Sequence, residues 1–227
     1  MTSLTTIMTE AYARIGNKPS GNPIPDEKAA RGIRVLNSIL DGLPSRGVGD
    51  ILTTRRIDSS FAVLNPSIIH VIATGAVTLT MPKKPHDGYR VKILDVGTNF
   101  STNNLTVDRN GWLIAGAASN VVLSTNGQSK EYFFRADLGD WKDITQPLLG
   151  GNEIPYPVEH DDGLEAILAL RLAENTGSEV TPLLVNAASV GLSRLRARYL
   201  PDLTVNLDYA LYRTPSHIPL DITGPVD

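Results

Sequence analysis

The chain has 227 residues, 41% of them hydrophobic and 20% charged, which gives length for one large domain or two small ones of ordinary globular composition. With a net charge of −3, non-specific adhesion to nucleic acid or anionic membrane is not expected, and the lack of cysteine excludes a disulfide framework, a thiol nucleophile and a cysteine zinc site. No signal peptide is read in MTSLTTIMTEAYARIG and no run approaches the roughly twenty apolar residues of a membrane span, so a soluble protein made in the cytoplasm is expected.

The first segment reads as a helix from Thr2 or Ser3, with Leu4, Ile7, Met8, Ala11 and Ile15 on one stripe and Gly16 as its left-handed stop. The Pro- and Gly-rich NKPSGNPIP cannot continue it. A second helix begins at Asp26-Glu27, where acidic groups suit the positive dipole end. Its stripe is Ala30, Ile33, Leu36 (or Asn37), Leu40 and Leu43, and Pro44 ends it.

From about Thr54 to Thr145 the period changes to two. Val77, Leu79 and Met81 alternate with threonines, and Tyr89, Val91 and Ile93 alternate with Arg90 and Lys92. Turn signals stand between such runs at residues 86–88, 110–111, 126–127 and 139–140. Strands this short and evenly spaced predict an antiparallel sandwich or small barrel, with Trp112 and Trp141 as lids of its core.

Helical spacing returns after PYPVEHDD. GLEAILALRLAEN is apolar around nearly its whole circumference and so needs cover on several sides. Thr181-Pro182 opens a fourth helix with the stripe Leu184, Ala187, Ala188, Gly191 and Leu195, small enough for a neighbouring helix to come close. Arg194, Arg196 and Arg198 crowd its last turn beside the negative dipole end. The expected fold is α+β: a bundle of four helices, two from each end, interrupted by the inserted antiparallel β module, with an extended C-terminal arm. The corresponding segments are 1–57, 58–148, 149–199 and 200–227.

That arm carries Pro201, Pro215, Pro219 and Pro225, which forbid a continuous helix. It also carries Leu203, Val205, Leu207, Tyr209, Leu211, Tyr212, Ile218 and Leu220, more apolar groups than a solvated linker keeps. An extended apolar terminus is expected to lie against a surface, its own or a partner's, with edge-strand addition through residues 204–212 as the mode.

DEKAARGIRVLNSILDGLPSRG, PYPVEHDDGLEAILALRLA and the alanine-rich helix ending RLRARY together resemble the head-to-tail adaptors of tailed bacteriophages, in particular the tail accessory factor of short-tailed phages. The resemblance spans about residues 1–47 and 154–200 and leaves out the β insert. It implies a ring homo-oligomer, usually of twelve copies, in the virion at the portal–tail junction. The partners implied are the portal protein and other tail or nozzle proteins, and genomic DNA passes through the ring without specific binding. The interface residues expected are Leu203, Val205, Leu207, Tyr209, Leu211, Tyr212 and Ile218 of the arm, with Arg194, Arg196 and Arg198, since an arginine fork suits a partner's carboxylates.

No catalytic residue, metal or cofactor is expected. His160-Asp161-Asp162 with Glu165 lacks the spaced histidines of a metal motif, and carboxylates in a first helical turn are accounted for by the dipole. Gly47-Val48-Gly49 lacks the lysine of a phosphate loop, and no nucleophile elbow occurs. The alternative function is recognition of carbohydrate by the β module, hinted at by Trp112 beside Asn110.

Overall fold

The computed structural model of the chain describes residues 2–16 and 24–200. Helix α1 (Leu4–Arg14) is opened by the Ser3 hydroxyl, which accepts from the Thr6 N–H at 3.2 Å. Its buried residues are Leu4, Ile7, Met8, Ala11 and Tyr12. Helix α2 (Asp26–Gly42) buries Gly32, Leu36, Ile39 and Leu40, while Ala30 of the expected stripe is exposed. The stripe is displaced because α1 passes over Gly32, where a Cβ would sit 2.5 Å from Met8 Cγ. Asn37, the alternative core position, is half-buried and holds the main chain of Leu148 from both sides, donating to its carbonyl and accepting from its N–H, each at 2.9 Å.

Helix α3 (Asp161–Thr176) is the centre of the helical layer, in contact with α1 and α2 and, most closely, with α4 (Pro182–Arg198). The Thr181 hydroxyl caps α4 by accepting from the Leu184 N–H at 3.2 Å. A Cβ on Gly163 would lie 2.7 Å from Gly191 Cα, so these two glycines are where the α3 and α4 backbones meet.

Between α2 and α3 run ten strands: β1 (Thr53–Ile57), β2 (Phe61–Ala62), β3 (Ser67–Val71), β4 (Val77–Thr80), β5 (Arg90–Asp95), β6 (Leu105–Asp108), β7 (Leu113–Ile114), β8 (Val121–Leu123), β9 (Ser129–Arg135) and β10 (Asp140–Asp143). They form a six-stranded sheet in the order β1-β3-β5-β9-β10-β7 and a four-stranded sheet in the order β2-β4-β6-β8. The first six strands go alternately to one sheet and the other, so each sheet grows by one strand per winding of the chain. Successive windings run the same way. Five of the eight pairings are therefore parallel: β1 with β3, β3 with β5, β2 with β4, β4 with β6 and β10 with β7.

This corrects the expected fold. The β region is not an antiparallel sandwich or barrel but a pair of mixed, largely parallel sheets in an α/β layout. Nor do the helices from the two ends surround it. They keep a core of their own, while Ile69, Val71, Leu79, Val91, Ile93, Val107 and Trp141 form a second core between the sheets. The physical reason for the difference is that a period of two is common to both kinds of ladder. Turn residues misled as well. Asn110 and Gly111 take positive φ (49° and 96°), as does Gly127 (70°), but these turns carry the chain from one strand to a strand that is not its neighbour. Only the turn at 139–140 joins hydrogen-bonded neighbours, β9 and β10. The expected extended form of the arm falls on residues 201–227, and residues 17–23 of the Pro- and Gly-rich NKPSGNPIP segment likewise lie outside the described residues.

Strand β9 belongs to both cores. Tyr132 and Phe134 face the partner sheet, and Phe133 joins the helical core with Ile144, Leu148, Ile154 and Tyr156.

Candidate functional site

The end of α4, where helices and sheet meet, brings together Arg198, Tyr199, His160 and the 86–88 turn. Tyr199, directly after the helix, is buried among Phe133, Tyr156 and His160, with ring centroids 5.7, 5.2 and 5.8 Å away. Its ring lies over Gly88 of the 86–88 turn, where a Cβ would come within 2.6 Å of Tyr199 Cδ1. Gly88 also takes a φ of +86°, so both the space and the backbone require glycine there. Burial pushes the Tyr156 phenol up to about 12 and the Tyr199 phenol well above its usual value, so both stay neutral.

The three arginines of the last turn have separate fates. Arg198 reaches Asp87 at 2.9 Å and Glu159 at 3.2 Å, and the hydrogen bond to Asp87 strengthens its hold on its proton. Asp87 also accepts from the Ala136 N–H at 2.9 Å, so one carboxylate ties α4 to β9's end. Arg196 Nε donates to the Arg46 carbonyl at 2.7 Å. Arg194 has no ion pair among the described residues and lines a small cavity of about 160 Å³ with Glu159, Asp162 and Asn186. Sequence reasoning found the arginines but not their partners, because 111 residues separate Arg198 from Asp87. The arm residues Leu203, Val205, Leu207, Tyr209, Leu211, Tyr212 and Ile218 lie outside the described residues.

The acidic group at the start of α3 serves packing. Arg14 of α1 bonds Glu165 at 2.8 Å and also Asp162, while Thr2 donates to Asp161. Burial raises the Asp161 and Glu165 carboxyls and lowers the His160 imidazole, since each charged form loses water. Among the described residues no group of three or more His, Cys, Asp or Glu could hold a metal ion. Trp141 is fully buried; Trp112 is half-buried, its ring edge on Phe134 at 5.1 Å and its indole N–H donating to the Lys83 carbonyl at 3.2 Å. Asn110 donates to the Met81 carbonyl at 2.8 Å. Both groups of the suggested sugar platform are thus engaged within the chain.

The outer side of α4 is the larger surface feature. The helix buries only Leu184, Ala188, Gly191 and Leu195, against α3. Leu183 is left 77% exposed and Val190 41%, on one flank of the helix's first half, while Val185, 45% exposed, lies on the other flank. Among the described residues no helix is long and apolar enough to cross a membrane.

No protein-family model matches the sequence, and no curated protein matches it. Among solved structures, one described as "Structure of a chaperone-substrate complex" is similar over 43% of this chain at 19% identity, with a TM-score of 0.30. The chain spans only 19% of that structure's length.

Proposed function

We propose that the chain is a structural head-to-tail adaptor, a subunit of a ring beneath a phage portal that joins it to the tail and lets the genome pass. The reading starts from the resemblance of the helical ends, and the observation that carries it is the outer side of α4. Leu183 and Val190, exposed together on one flank of its first half, are apolar groups of the kind a subunit shows before a second copy covers them. Arg194, at the same helix and without an ion pair among the described residues, supplies a charge at the rim of such a contact. The arm, residues 200–227, adds the remaining contacts to the portal, to a neighbouring copy or to the next tail protein. The reading assigns no reaction to the chain and places it in the virion.

The test is the mass of the purified protein by light scattering, alone and mixed with portal rings. A multi-copy assembly, alone or on the portal, is the expected result. A chain that stays monomeric in both mixtures, up to concentrations of about 100 µM, rejects the reading. Leu183→Asp with Val190→Asp should abolish the assembly while leaving thermal unfolding of the monomer unchanged.

A further inference from the structure

We propose that residues 204–209 dock as an added parallel strand on the open edge of β1 of the same chain. The proposal goes beyond the adaptor reading and does not depend on it.

The described chain ends next to this edge. The Tyr199 carbonyl accepts from the Gly49 N–H at 2.6 Å, and Gly49 lies just ahead of β1. A segment that starts beside the beginning of β1 and lies along it runs in the same direction, as β3 and β5 do. The edge itself is available. Thr53 donates to the Pro66 carbonyl at 3.2 Å and the Ile57 carbonyl accepts from Ile72 at 2.9 Å, so residues 53, 55 and 57 address β3. Alternation then turns the N–H and C=O of Thr54 and Arg56 outward, and among the described residues no strand lies beyond β1.

Side chains favour the same occupant. The tail beyond Leu200 carries Asp202, Asp208, Asp221 and Asp227 against Arg213 alone, while Arg55 and Arg56 of β1 are both exposed. Opposite charge meets at the edge, which favours cross-strand pairing. Val205, Leu207 and Tyr209 alternate with Asn206 and Asp208, so one side of the added strand is apolar and extends the core face that carries Ile57 and Val71. The short tether between Tyr199 and residue 204 makes the encounter intramolecular, which favours it over the tail of another copy. Docked in this way, the tail presents its own outer edge to a portal or a neighbouring subunit.

The experiment is amide hydrogen exchange on the full-length chain and on the full-length variant Val205→Pro/Leu207→Pro, in which the tail loses two N–H donors. The Thr54 and Arg56 amides should exchange at least about tenfold faster in the variant, while those of Ile69 and Ile93 in the inner strands keep their rates. In the unaltered chain the slow exchange should not change on dilution. Equal rates at Thr54 and Arg56 in the two proteins overturn the proposal. So does protection that disappears on dilution, which would assign the edge to the tail of a second copy. Portal binding is not read out, so a chain with no portal partner can still pass or fail.

Discussion

The helical layer and the β module solve one problem, burial of apolar area, by opposite routes. The helical layer joins segments from the two ends of the sequence: α3 packs on α1 and α2 across the whole β region. The β module builds its core from successive windings of adjacent sequence, strand upon strand. The long-range core depends on a few close backbone approaches, such as Gly163 on Gly191, whereas the local core depends on large rings filling the space between sheets. Disturbances should therefore have different characters in the two regions.

The largest effect is expected in the β module. Trp141 is fully buried, with Tyr89 and Phe134 at 5.8 and 5.0 Å, and Trp141→Ala should cost about 3–5 kcal/mol in denaturant unfolding. In the helical layer Leu36 and Leu168 are both fully buried, and alanine at either should cost about 2–5 kcal/mol. The comparison breaks if Trp141→Ala lowers stability by less than either leucine change. It sharpens if near-UV dichroism is lost in one region before helical dichroism is lost in the other. A smaller cost, about 1–3 kcal/mol, is expected for Gly163→Ala, because a methyl there forces α3 and α4 apart. Gly42→Ala, with open space around its Cβ, is the control and should leave the melting temperature unchanged or slightly higher.

The smallest effect depends on pH and sits at the junction. Burial lowers the His160 pKa below its unfolded value, so the unfolded chain binds the proton more readily and stability falls as pH drops below about 6.5. The loss is complete once pH passes below the lowered folded value. His160→Gln should flatten the melting temperature between pH 7 and pH 5. Glu159, Asp87 and Asp161 favour the protonated ring and Arg198 opposes it, so the effect is modest. An unchanged pH profile in the variant would assign the acid loss to other groups.

Legibility differed between the two regions for the same reason. A helix declares its buried face through spacing alone, and Leu4, Ile7, Met8 and Ala11 of α1, with Leu184, Ala188, Gly191 and Leu195 of α4, were each readable. Ala30 was misread because Gly32, the point where α1 crosses, carries no side chain to signal it. In the β region the strands were readable but their partners were not. Val77 aligned with Leu105 in parallel register looks no different in sequence from the same residues in a hairpin. The contact of Arg198 with Asp87 was hidden in turn, since it exists only once the winding has placed the 86–88 turn beside the end of α4.

Tyr199 has a mechanical consequence. It is the last buried residue before the tail, wedged over Gly88 between Phe133 and Tyr156, with its carbonyl bonded to Gly49. Tension applied through the tail therefore does not peel α4 away turn by turn from its C-terminal end. The load passes at Tyr199 into the sheet and the α2–β1 connection together, where contacts must fail side by side rather than in sequence. A pulling handle attached after Leu200 should meet a single high yield force, and Gly88→Ala should lower it.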